Sequence, residues 1–237
     1  MQIKVVALAL SCALIGAVTA QQRSIRPDLV EAAKQVIAST NAFRQTDKLA
    51  PVEPDAELLK SARYFADFMA RTDKYGHAAD GHQPAQRAQK FGYEYCIVAE
   101  NIAYQFSSRG FSTSQLAQRL FEGWQNSPGH RKNMLDPNVT ETAVAIAQSE
   151  NTGRYYAVQL FGRPKSQTIR FSVANRAGVP IEYSLDQRTF PLPPRATRTH
   201  QSCRSSTLNW RGTTVEPRDG QNLVITQDDG TLQLKTN

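Results

Sequence analysis

Trp124-Gln125-Asn126-Ser127-Pro128-Gly129-His130-Arg131 is the stretch that orders the rest of this 237-residue chain. Ahead of it, Ser112-Thr113-Ser114-Gln115 fits a capping box, and Leu116, Leu120, Phe121 and Trp124 share one helical face. Ser127-Pro128-Gly129 breaks that helix and leaves His130 at the start of a short one. Two further blocks lie upstream, Gly76-His77 … Gly81 and Ala99-Glu100-Asn101-Ile102-Ala103. Each block carries one residue able to bind a metal or move a proton: His77, Glu100 and His130.

Outward from these blocks the periodicity changes twice. Pro27-Asp28 opens a helical pattern in which Leu29, Val30, Ala33, Val36, Ile37, Thr40 and Phe43 recur at three- and four-residue spacing. Asp55 can cap a second helix, with Leu58, Leu59, Ala62, Phe65, Ala66 and Met69 on one face. Tyr75 to Pro84 reads as loop, and a short helix from Pro84 to Phe91 meets its stop at Gly92. Thr142 to Gln148 and Arg154 to Gly162 alternate as strands around the turn Glu150-Asn151-Thr152-Gly153. Helices first and strands last give an α+β pattern for residues 21–163. Arg163 to Gln167 reads as a linker. Beyond it Ile169, Phe171, Val173 and Ile181, Tyr183, Leu185 alternate, and Gln227-Asp228-Asp229-Gly230 marks another hairpin. Residues 164–237 are therefore expected to form a small all-β domain.

Residues 1–20 read as a secretory signal, with Lys4, an apolar run from Val5 to Val18, and Val18-Thr19-Ala20 at the cleavage site. A transmembrane anchor is one rival, but the run is short of the roughly 20 apolar residues a bilayer needs. A lipoprotein attached at Cys12 is another, but Ala9-Leu10-Ser11 is a poor lipobox. The mature chain is then secreted or periplasmic, with no transmembrane segment. Net charge is +7, and without Lys4 the balance is 27 basic against 21 acidic residues. The charges are scattered, as on an ordinary solvated surface, with weak attraction to anionic polymers as the sharper reading. Cys96 and Cys203 are the two mature cysteines. In an oxidising compartment they have one pairing available; otherwise each is a small buried residue.

Taken singly, the candidate residues have ordinary explanations. Loop histidines such as His77 and His82 are commonly just solvated. Glu100, between Val98 and Ile102, needs a metal, an arginine or backbone amides to offset its burial. His130 fits a surface helix start. Ser127 lacks a glycine-flanked nucleophile elbow, and Cys96 as a thiol nucleophile has no more support. The chain has no phosphate-binding glycine loop, CxxC pair, HExxH helix or basic–aromatic stripe, so nucleic acid is not expected as a partner.

Taken together, the order and spacing of the blocks resemble the CAP superfamily (cysteine-rich secretory, antigen 5, pathogenesis-related 1; SCP domain) in its bacterial form. Asp80-Gly81, Arg87, Gly92-Tyr93 and Tyr156 to Gly162 extend the likeness over residues 35 to 163. The resemblance implies a three-layer α-β-α sandwich followed by the small β domain. It also implies a central cleft in which two histidines hold Zn²⁺ or another divalent metal. Carried over by motif, His77 and His130 are those histidines and Glu100 is the first of the family's two glutamates. Ser127 stands where the second glutamate would be, and Glu122 does not match it. His77, Glu100 and His130 are thus expected as metal ligands, with Ser127 also lining the cleft. Two imidazoles and one carboxylate would leave a fourth position for water. The ligand expected in such a cleft is a small molecule, a lipid or a cell-envelope polymer. A non-enzymatic binding protein is favoured over a metal-dependent hydrolase, and an envelope docking protein is a third reading.

Overall fold

The structure, a computed structural model, describes residues 26–236; the leader expected at residues 1–20 lies outside them. Helix α1 (Leu29–Thr46) starts where Asp28 accepts a hydrogen bond from the Glu31 amide. Asp55 does the same for Leu58 at the head of α2 (Ala56–Thr72). Such caps satisfy amides that have no partner within the helix. Helix α3 (Pro84–Lys90) begins on its proline and ends before Gly92, whose φ of 95° would strain an L side chain. Helix α4 (Thr113–Gln125) carries the expected box at Ser112, and α5 (Pro128–Met134) follows at once.

The α+β class holds, but the strands interleave with the helices instead of following them. A two-residue β1 (Glu53–Pro54) precedes α2, and β2 (Tyr95–Gln105) lies between α3 and α4. Only β3 (Glu141–Gln148) and β4 (Tyr155–Pro164) form the expected hairpin. The sheet order is β1-β3-β4-β2, which places β2 at an edge. Its residues are apolar on both faces and broken by Glu100-Asn101, so no alternation marks it as a strand.

The sheet is the middle of three layers. On β3 and β4, Ala143, Ala145, Tyr156, Val158 and Leu160 pack with Leu58, Phe65 and Met69 of α2. The alternate residues Val144, Ala157 and Phe161 pack with Val36, Phe43, Leu120 and Trp124 of α1 and α4. Period-two alternation in the strands thus feeds two cores at once. One expected core residue, Val30, is 61% exposed, and Ala32 takes the buried place. Gly162 has a specific reason: a Cβ there would run into the Tyr93 ring.

After a 3-10 turn at Lys165–Gln167 come eight strands: β5 (Ile169–Asn175), β6 (Ile181–Leu185), β7 (Arg188–Leu192), β8 (Thr197–Ser202), β9 (Leu208–Trp210), β10 (Thr213–Val215), β11 (Asn222–Asp228) and β12 (Thr231–Thr236). They form two sheets, β12-β11-β5-β8 and β10-β9-β6-β7. Phe171, Val173, Tyr183, Leu208, Trp210 and Ile225 fill the space between them. His200 packs half-buried beside that core, its Nε2 2.7 Å from the Tyr183 hydroxyl and its ring stacked on Phe171.

Cys96 of β2 and Cys203, just after β8, form a disulfide with Cα atoms 5.3 Å apart. The second of the two cysteine readings therefore gives way to the first. Arg204 beside it pairs with Asp136 at 2.8 Å. Among the described residues no helix is long and apolar enough to cross a membrane.

Candidate functional site

Helices α4 and α5 and the loop after α2 converge on the outer edge of β2. An edge strand leaves backbone groups unpaired, and here side chains take them up. Asn133 of α5 donates to the Glu100 carbonyl at 3.2 Å. Trp124 Nε1 and the Tyr75 hydroxyl both donate to the Ile102 carbonyl, each at 3.1 Å. Asn133 also donates to Asn101 Oδ1, and Asn101 in turn donates to the His130 carbonyl at 3.2 Å. The amide pair Asn101–Asn133 fixes α5, and with it His130, against β2.

Glu100 points to the α2–α3 side of the sheet, and its side chain is 1% exposed. Its Oε1 lies 2.8 Å from His77 Nδ1, and its Oε2 accepts from Arg87 at 2.7 Å. Arg87 is itself buried. It donates to Asp80 at 2.8 Å and to the His82 carbonyl at 2.6 Å, and its guanidinium stacks 3.6 Å from the Phe65 ring centre. A buried carboxylate needs such partners. Both Glu100 oxygens are thus already engaged, one by His77 and one by Arg87.

The two histidines differ. The His77 side chain is half exposed, and a carboxylate on Nδ1 fixes the tautomer with the proton there, leaving Nε2 as the free lone pair. His130 is half-buried, and its Nδ1 is buried with no hydrogen-bond partner. Burial lowers its pKa, and nearby His77 lowers it further. Both effects favour the neutral imidazole, the form that offers a lone pair. His82 turns away to Asp80, whose carbonyl lies 3.1 Å from its Nδ1. Ser127 is the N-cap residue of α5, three positions before His130, and its side chain makes no capping bond. Among the described residues no three His, Cys, Asp or Glu side chains gather in metal-binding geometry.

Asn133 carries no signal of its own in the sequence, and Asn101 and Asp80 stand there only as parts of the family-like blocks, with no hint of their contacts. Arg87 has one: a buried Glu100 demands a cation, and Arg87 sits between Ala85 and Ala88 on a short helix.

Comparison with known proteins places the fold in a family. Residues 37–161 match the sequence model of the cysteine-rich secretory protein family, CAP. YkwD, an uncharacterised protein of Bacillus subtilis (strain 168), is 34% identical over 131 residues, which is 55% of this chain and 47% of YkwD. YlbC, an uncharacterised membrane protein of the same bacterium, is 25% identical over 52% of this chain and 33% of its own length. The chain thus spans about half or less of the curated relatives it matches. An outer surface protein of Borrelia burgdorferi is similar in fold, with a TM-score of 0.51 at 22% identity over 58% of this chain and 96% of that one.

Proposed function

This chain belongs to the CAP family, and on that premise we propose that its cleft binds a divalent metal ion, zinc in the first instance, through His77 and His130. The observation that carries the reading is the buried, partnerless Nδ1 of His130. A buried ring nitrogen without a partner is costly, and a metal ion or a ligand donor would satisfy it. Glu100 supports the site from behind: it holds His77 by Nδ1 and is held by Arg87. A carboxylate so placed orients a histidine and raises its basicity as a ligand. Two imidazoles suit zinc, and the remaining positions fall to water and the bound ligand, so affinity is modest. When bound, the ion would polarise an oxygen beside it. Binding is favoured over turnover because Glu100 already holds His77 and Arg87, and Ser127 stands where a second carboxylate would be needed as a general base. The ligand is read as a small apolar molecule or an envelope polymer. Secretion or a periplasmic location is supported by the leader pattern of residues 1–20 and by a disulfide, which persists in oxidising compartments.

Calorimetry with Zn²⁺ tests this. One site is expected, weakening below about pH 6 as protons compete for the imidazole nitrogens. Glu100→Gln should fold and bind roughly tenfold more weakly. Equal affinity in the His77→Ala/His130→Ala variant overturns the proposal. Zinc-dependent hydrolysis of peptide or envelope polymer, lost in His77→Ala, would replace it with the hydrolase reading.

A further inference from the structure

Three of the aromatic side chains that the fold leaves in water gather at the far end of β2 from the disulfide. Tyr75, Tyr104 and Phe106 are 47%, 44% and 59% exposed. Tyr104 follows Glu100 by four residues on the same face of β2, about 13 Å away at the usual rise of a strand. These rings are held in place. The Tyr75 hydroxyl is tied to the Ile102 carbonyl, and its ring meets Tyr104 edge to face at 5.2 Å. The Arg154 guanidinium lies 4.9 Å from the Tyr104 ring centre. Phe106 rests against Gly153, where a Cβ would come within 3.6 Å of the ring. Phe106 is also one wall of a groove of about 510 Å³ that includes Gln105, Ser107, Ser108, Arg109 and Arg119 and no acidic side chain.

We propose that Tyr104, Phe106 and the groove of Arg109 and Arg119 form a docking strip for an anionic polysaccharide, a chain of pyranose rings that bear carboxylates. The negative face of an aromatic ring attracts the C–H face of a sugar, and a pre-ordered ring loses little freedom on contact. Serine and glutamine side chains suit hydroxyl groups. Arginine pairs with a carboxylate by two parallel hydrogen bonds. The excess of basic over acidic residues, 27 against 21 without Lys4, adds long-range attraction for a polyanion. A membrane surface is the weaker fit, because the strip is concave and flanked by Ser and Gln with no exposed Leu, Ile or Val among its lining residues. The proposal rests on the polymeric-ligand part of the reading above and uses neither His77 nor His130.

The test is calorimetry on the full chain at low salt with EDTA throughout, comparing hexagalacturonate with maltohexaose. Hexagalacturonate should bind about tenfold tighter or better. Phe106→Ala and Arg109→Ser/Arg119→Ser should each weaken it about tenfold, with thermal midpoint and separately measured zinc binding unchanged. His77→Ala/His130→Ala should leave it intact, which separates this proposal from the metal reading. Equal binding of the two oligosaccharides, no binding of either, or indifference to Phe106→Ala overturns it. So does Phe106-dependent capture of phosphatidylglycerol vesicles without any hexagalacturonate binding.

Discussion

Arg44 and Arg87 are both 1% exposed, yet they serve different ends. Arg44 gives its donors to backbone carbonyls only: Ala50 and Met134 at 2.8 Å, Asp136 at 3.0 Å and Val139 at 3.5 Å. It pins the turn after α5 to α1, and burial lowers its pKa against the pull of Asp136. Arg87 gives one bond to the His82 carbonyl but also pairs with the carboxylates of Asp80 and Glu100, and Glu100 passes the contact on to His77 at the surface. One cation holds neutral dipoles and fixes a frame. The other balances charges and reaches a half-exposed imidazole. A buried arginine is therefore informative about function through its partners, and not through its burial.

The sharpest way to break this contrast is to remove each guanidinium. Arg87→Met leaves two carboxylates without their cation and should cost about 3–5 kcal/mol in urea unfolding. Adding Glu100→Gln should recover part of that loss, since one orphaned charge is gone. Arg44→Met leaves carbonyls unsatisfied and should cost less, about 2–3 kcal/mol, with zinc binding unchanged. If Arg44→Met proves as damaging to zinc affinity as Arg87→Met, the division into frame and site fails.

The smallest effect is a slope with pH. His130 is held below the ordinary imidazole range, so the unfolded chain takes up a proton that the folded chain resists. Stability is then full above about pH 6.5 and falls as pH drops below it. His200 has the same sign, through burial and Arg198. His130→Asn should flatten part of the fall and His200→Asn another part, while Arg44→Met keeps the wild-type slope. Thermal melts across pH 5 to 8, on the order of the range where histidine titrates, check this; an unaltered slope in His130→Asn would remove that histidine from the account.

What could be read in advance was mostly local chemistry. Asp28, Asp55 and the Ser112 box announce helix starts because capping is a short-range event. The β3–β4 hairpin was legible because its alternation and turn lie within one window. Strand β2 was not, because each face of it joins a different core and the pattern cancels. The family blocks pointed to His77, Glu100 and His130. They did not show that Glu100 faces Arg87, or that Asn101 and Asn133 lock α5, because those contacts span loops whose path only the fold defines. Of the C-terminal strands, β5, β6 and the β11–β12 hairpin show in the pattern, whereas β7 to β10 do not, and His200 on β8 drew no notice. A histidine in an alternating strand looks solvated until its stacking partners arrive from other strands.

The bond between Cys96 and Cys203, 107 positions apart, closes the chain into a ring. That ring contains most of β2, α4, α5, the β3–β4 hairpin and the sandwich as far as β8. A cut anywhere inside it opens two ends but frees no piece. A protease that nicks residues 163–167 should leave one species on a non-reducing gel and two only after a thiol is added. The sandwich would therefore stay tethered to the strand that carries Glu100 even after the peptide joining them is severed.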